Sequence, residues 1–197
     1  QMYLMKPDIP FIPEHVLESA TPRSDGIFEM YFPSTMFTYK NHRLLPEVMA
    51  IIKREHPEIF PNLRIRLTIK PEQLEIPADV ADAFILDGYV PHEQLLNCLA
   101  QSDAMLFPSY VETFGMPLLE GAAFGLPILA ADLPYSHDVL SGYEGAIYLR
   151  HTDAAAWANA IIDIYAQRPR FPRLPMGEKS DYNKLISLLN QAAENNL

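Results

Sequence analysis

Six short apolar runs, most of them followed by a stretch of helical periodicity, occupy the chain between residues 26 and 165. IFEMYF (Ile27–Phe32), LRIRLTI (Leu63–Ile69), AFILDGYV, AMLFPS, LPILAAD and AIYL read as strands. Between and after them HRLLPEVMAIIKREH, PHEQLLNCLAQS, MPLLEGAAFG, YSHDVLSG and DAAAWANAIIDIYAQR read as helices. Strands that are apolar on both faces need cover on both faces, and helical crossovers between them supply it. The expected fold is therefore α/β, a doubly wound parallel sheet of Rossmann-like type. LRIRLTI differs, because Arg64, Arg66 and Thr68 alternate with its apolar residues and give it one wetter face. Ligands of such sheets bind outside the carboxyl ends of the strands. The loops after Phe32, Asp87, Phe107 and Ala131 fall at that edge.

Local chemistry places the boundaries. Leu44, Leu45, Val48, Ile51 and Ile52 share one helical face, with Pro46 tolerable in the first turn. Asp153 is an N-cap for the long helix that carries Trp157 and Tyr165 on one face as core residues, and Pro169 stops that helix. Residues 1–25 hold three prolines between Pro7 and Pro13 and read as an extended interdomain linker, the remnant of a preceding lobe. Residues 26–175 form the domain. Residues 176–197 read as a last helix that packs back on it or crosses to another lobe. The chain starts with Gln and shows no charged-then-apolar leader, so it reads as a piece of a longer protein.

Composition narrows the function. A net charge of -10, with 15 scattered basic residues, argues against a nucleic-acid partner, whose phosphates demand clustered Lys and Arg. No apolar run approaches the ~20 residues of a transmembrane helix. The single cysteine, Cys98, makes no internal disulfide and reads as a buried thiol of a reducing compartment. G-x-G-x-x-G and G-x-x-x-x-G-K-[ST] are both absent, which disfavours dehydrogenases and P-loop enzymes. The six histidines never fall at i, i+4 on one helix, so no metal site is expected. Ser109 lacks a nucleophile elbow.

What remains is SYVETFGMPLLE, Ser109–Glu120. A helix starting near Met116 offers unsatisfied N–H groups and its dipole to an anion, and Gly115 lets that anion approach. Glu112 hangs in the loop before the helix. Glu120 lies about one turn inside it and leans back toward its start. Carboxylates repel phosphate but accept hydroxyls in pairs, so a diphosphate flanked by diols suits both elements. A nucleotide sugar is such a ligand.

The run GYVPHEQLLNCLAQSDAMLFPSYVETFGMPLLEGAAFGLPILAADLPYSHDVL resembles the donor-binding, C-terminal lobe of retaining glycosyltransferases of the GT-B fold, the group called family four. Glu112 and Glu120 match its E-x7-E element, and Pro108, Ser109, Phe114, Gly115, Pro117, Gly125 and Pro127 match the surrounding frame. FPSTMFTYKNHRLL resembles the first donor loop, which commonly carries an Arg and a Lys on the diphosphate. Lys40 matches the lysine, whereas Thr35 stands at the arginine. The resemblance implies that Glu112 holds sugar hydroxyls and Glu120 the ribose diol. It places Phe114, Gly115, Met116 and Pro117 against sugar and phosphate, and Tyr89 and Val90 against the base. Lys40 and the helix start would stabilise the leaving diphosphate without a metal or a permanently bound cofactor. The leaving phosphate would take the acceptor proton, so no base is named, and a missing N-terminal lobe would hold a carbohydrate or lipid-linked acceptor.

Two other classes stay open: an epimerase or phosphorylase of the same fold, and a non-catalytic module that binds sugar nucleotides. A glycosidase is a poor third, because its retaining carboxylates must face each other about 5–5.5 Å apart. His42 is expected to cap or hydrogen-bond locally at a helix start, in preference to an acid-base role, and His137 is open between a surface role and one near the phosphates. Arg168, Arg170 and Arg173 read as a solvated connection, with anionic lipid as the alternative partner. The expected location is cytoplasmic, with peripheral placement at the inner face of the membrane as the alternative.

Overall fold

The computed structural model describes residues 12–20 and 24–174. Six strands, β1 (Phe28–Phe32), β2 (Leu63–Leu67), β3 (Phe84–Leu86), β4 (Ala104–Phe107), β5 (Ile128–Ala131) and β6 (Ala146–Leu149), make one sheet. All its pairings are parallel and the order is β3-β2-β1-β4-β5-β6. The order reverses between β1 and β4, and the loops leaving those two strands diverge to frame a crevice. The doubly wound parallel sheet expected from the apolar runs is the one observed.

Six helices are α1 (Glu14–Glu18), α2 (Leu44–Glu55), α3 (His92–Gln101), α4 (Met116–Ala123), α5 (Pro134–Val139) and α6 (Ala154–Gln167). α2 packs on α6, while α3 meets α1 and α4, and α4 meets α5. Every residue of β1, β4 and β5 is buried, as central strands covered on both sides require. Pro46 sits in the first turn of α2, where its missing N–H costs nothing. Asp153 caps α6 by accepting from the Ala156 N–H at 3.0 Å, and Trp157 is fully buried with its indole N–H on the Arg150 carbonyl. Gly121 lets α4 settle on the sheet, since a Cβ there would stand 2.8 Å from the Met105 sulfur.

Two expectations change, and a third gains detail. The segment read as an extended linker contains α1, which buries Val16 in the main core beside Ile12 from just before the helix. Prolines flank this helix and do not interrupt it, so a single turn with an apolar side survives. β2 has the wetter face expected of it, Arg64 and Arg66 lying half-buried between buried neighbours, and ion pairs line it: Arg66 Nε meets Glu29 at 2.8 Å and its terminal nitrogen grips both Asp87 oxygens at 2.9 Å. Burial alone would lower the Arg66 pKa, but the bonds to Glu29 and Asp87 outweigh it and raise it. The arginine cluster after α6 is a set of clamps, because Arg168, Arg170 and Arg173 donate to the Gly26, Ser102 and Leu17 carbonyls. The last helix expected at 176–197 lies outside the described residues.

Candidate functional site

β1 ends in Pro33 and Ser34, and Thr68 ties this exit to β2 from both sides. The Thr68 hydroxyl accepts from the Ser34 N–H at 2.8 Å and donates to the Ser34 carbonyl at 3.0 Å. The Ser34 hydroxyl in turn meets His42 Nε2 at 2.9 Å. His42 therefore bonds to the β1 exit loop and does not act as a cap. It is 1% exposed, and burial, followed by the nearby Lys40 charge, lowers its pKa to about 4. A neutral imidazole braces this loop.

A short 3-10 turn, Thr38–Lys40, follows, and Asn41 closes it at φ 59°. That left-handed conformation suits Asn, and here its amide also donates to the carbonyls of Pro108 (3.3 Å) and His151 (2.8 Å). The Tyr110 N–H adds a bond to the Tyr39 carbonyl at 2.9 Å. The loops after β1 and β4 are thus laced together. Their lacing brings Lys40 Nζ to Glu112 Oε1 at 2.5 Å, an ion pair whose side chains are 14% and 9% exposed. The ammonium also stands 5.6 Å from the ring centroids of Tyr39 and Phe107. Tyr135 holds the same β4 exit from the other side by donating to the Ser109 carbonyl at 2.6 Å.

Gly115 then turns the chain at φ 87° into α4. An added Cβ would be strained there and would meet Leu118 Cδ1 at 3.2 Å. The helix starts at Met116, as its sequence suggests, but its first turn is poorer in donors than a generic one. Pro117 brings no N–H and the Leu118 N–H turns back to the Gly115 carbonyl, so the amides this turn can present are those of Gly115 and Met116. Phe114 packs against the core. Glu120, on the second turn of α4, is buried with a side chain 5% exposed, and its Oε1 lies 2.8 Å from His92 Nε2.

The structure joins Lys40 to Glu112 directly and sets Glu120 on the helix that follows the Glu112 loop. Thr35 is exposed on the β1 loop, where its carbonyl accepts from the Phe37 N–H. Tyr89 is 87% exposed after Gly88, a glycine at φ 71°, and Val90 is half-buried. His137 stands on α5 after β5, bonded to Asp132 at 2.7 Å and stacked on Tyr148 with ring centroids 3.8 Å apart. His92 was legible only as the first residue of a helix. Its meeting with Glu120 depends on how α3 packs on α4, and no local pattern announces that.

Residues 28–167 match the family model described as Glycosyl transferases group 1. The chain belongs to this family. The D-inositol 3-phosphate glycosyltransferase of Stackebrandtia nassauensis is 29% identical over 165 residues, 78% of this chain and 37% of that protein. Among solved structures, WaaG, a glycosyltransferase involved in lipopolysaccharide biosynthesis, superposes with a TM-score of 0.65 at 18% identity, covering 84% of this chain and 47% of WaaG. A Staphylococcus aureus TarM mutant in complex with Fondaparinux, alpha-GlcNAc-glycerol and UDP gives a TM-score of 0.64 at 16% identity, covering 83% of this chain and 32% of TarM. This member of the group 1 family thus shares the GT-B fold, and it spans less than half the length of these three relatives. Among its described residues no helix is long and apolar enough to cross a membrane.

Proposed function

We propose that this chain is the donor-binding lobe of a retaining glycosyltransferase and holds a nucleoside-diphosphate sugar for transfer to a sugar or lipid-linked acceptor. The Lys40–Glu112 pair carries this reading. A cation and a carboxylate from two different loops meet next to a helix start, and each suits one half of the scissile bond. When the bond between the anomeric carbon and the diphosphate breaks, negative charge collects on the departing phosphate oxygen. Lys40 and the Gly115 and Met116 amides would receive that charge, and a fixed donor lowers the barrier more than a mobile one. Glu112, whose Oε2 is not the oxygen paired with Lys40, would accept the sugar hydroxyls. Glu120 would accept the ribose hydroxyls, and Tyr89 with Val90 would border the base.

Retention follows if the leaving phosphate takes the acceptor proton on the face it departs from, a route that needs no carboxylate nucleophile. Thr35 supplies no cation, so Lys40 would be the main side-chain charge on the diphosphate. This route asks for no metal, and a chelator tests that directly. The full-length protein is titrated calorimetrically with UDP, GDP, ADP and their sugar conjugates in EDTA, with Glu120→Ala as control. Saturable binding of one nucleotide family, lost in the variant, is expected. A full-length protein that binds none of them overturns the donor-site reading. One that binds without ever transferring sugar is a non-catalytic sugar-nucleotide module.

A further inference from the structure

We propose that His92 is a positioning residue that sets the Glu120 carboxylate for a ribose diol and fastens the base-side loop to it. The inference rests on the donor-site reading and adds a residue that the E-x7-E spacing does not contain. Glu120 is buried on α4, yet among the described residues its carboxylate makes one side-chain hydrogen bond, to His92 Nε2 at 2.8 Å. A carboxylate has about four acceptor positions. One is taken by the imidazole N–H on Oε1, and Oε2 stays open for hydroxyls.

The partner is unusual in where it comes from. His92 is the first residue of α3, directly after Pro91, and only Val90 and Pro91 separate it from the exposed Tyr89. Pro91, at φ -58°, fixes the step into α3. The ring thus spans from the end of the Tyr89–Val90 loop to the helix that bears Glu120. Its own side chain is 55% exposed while the carboxylate it holds is 5% exposed. One face of the ring is therefore open beside an acceptor that is otherwise buried. A carboxylate held by one neutral or cationic donor keeps a single rotamer, and that pre-orientation is worth affinity without touching the bond that breaks.

The test separates a ribose-directed role from plain support of the fold. The full-length protein and its His92→Ala and His92→Gln variants are titrated with the nucleoside diphosphate that binds best among UDP, GDP and ADP, and with its 2′,3′-dideoxy analogue. For His92→Ala the ribonucleotide should weaken about tenfold or more, as expected for one hydrogen bond to a charged group, while the dideoxy analogue holds its affinity. His92→Gln, which can present an amide N–H to the same oxygen, should restore most of the difference. In turnover the donor KM rises and kcat stays within about twofold. Equal weakening of both nucleotides in His92→Ala, or tighter binding of the ribonucleotide, overturns the proposal. If the wild-type protein does not distinguish the two nucleotides, or binds neither, the ribose role of Glu120 fails and the proposal falls with it.

Discussion

The two glutamates of Ser109–Glu120 are held by opposite means. Glu112 belongs to a loop, and its partner is a full cation from 72 positions earlier in the chain. That pairing exists because Asn41 and the Tyr110 N–H sew the β1 and β4 loops together. Glu120 belongs to a helix packed on the sheet, and a single imidazole from the start of α3 meets it. The two histidines of these elements differ likewise: His42, bonded to Ser34, is sealed beneath the β1 exit loop, whereas His92, the partner of Glu120, lies at the surface. Loop-borne geometry that depends on several weak ties can shift when a ligand arrives. Helix-borne geometry changes little. The half of the site assigned to the reacting sugar is thus the adjustable half, and the half assigned to the nucleotide is preset.

The sharpest way to break this comparison is at Lys40. In the full-length enzyme Lys40→Ala is expected to lower kcat about 10²–10³-fold, the usual loss when a donor to developing negative charge is removed. It should also cost about 3 kcal/mol of stability, because Glu112 is left buried without its partner. Adding Glu112→Ala should restore much of that stability and none of the activity. Steady-state kinetics and chemical unfolding check both statements, and near-wild-type turnover of Lys40→Ala would make the pair a purely structural tie.

Acid is the next lever. An unfolded histidine takes its proton near pH 6.5, whereas His42 in the fold takes one only near pH 4. Between these values the unfolded state binds the extra proton, so stability falls as pH falls through that window and levels off below it. The expected loss is about 3 kcal/mol over the window. Unfolding midpoints followed from neutral pH down to about pH 4 read it, and His42→Gln should flatten this part of the profile. A His42→Gln protein with an unchanged acid slope would mean that other groups set it.

The fold could be read from the sequence because buried parallel strands leave apolar runs that no neighbour needs to explain. The same holds for the Asp153 cap and the start of α4 at Met116, which short-range rules decide. The site was legible only in its parts. Glu112, Glu120, Lys40 and Gly115 stood out by pattern, but the salt bridge between Lys40 and Glu112 requires β1 beside β4, a strand order that local periodicity does not contain. The Arg66 clamp on Glu29 and Asp87 hid for the same reason, since alternation alone shows a wetter face and not what the arginine pairs with. α1 hid behind its prolines. Thr35 is the converse case: its departure from the expected arginine is plain in sequence, and its exposed position offers nothing in exchange.

The smallest expected effect is also the most selective. Asn41 combines a left-handed backbone with two amide hydrogen bonds, and two substitutions separate those contributions. Asn41→Gly keeps the conformation and loses the bonds, which at about 1 kcal/mol each are partly offset by the ease with which glycine occupies that region. A net loss of about 1 kcal/mol is expected. Asn41→Ala loses the same bonds and adds about 1 kcal/mol of backbone strain, so it should be the less stable of the two in thermal unfolding. Both variants loosen the tie to the Pro108 carbonyl and leave α3 and α4 untouched. Turnover should therefore fall severalfold while nucleotide affinity stays at the wild-type value. An equal fall in nucleotide affinity would mean that the two halves of the site are mechanically coupled, and the division between an adjustable loop and a preset helix would not hold.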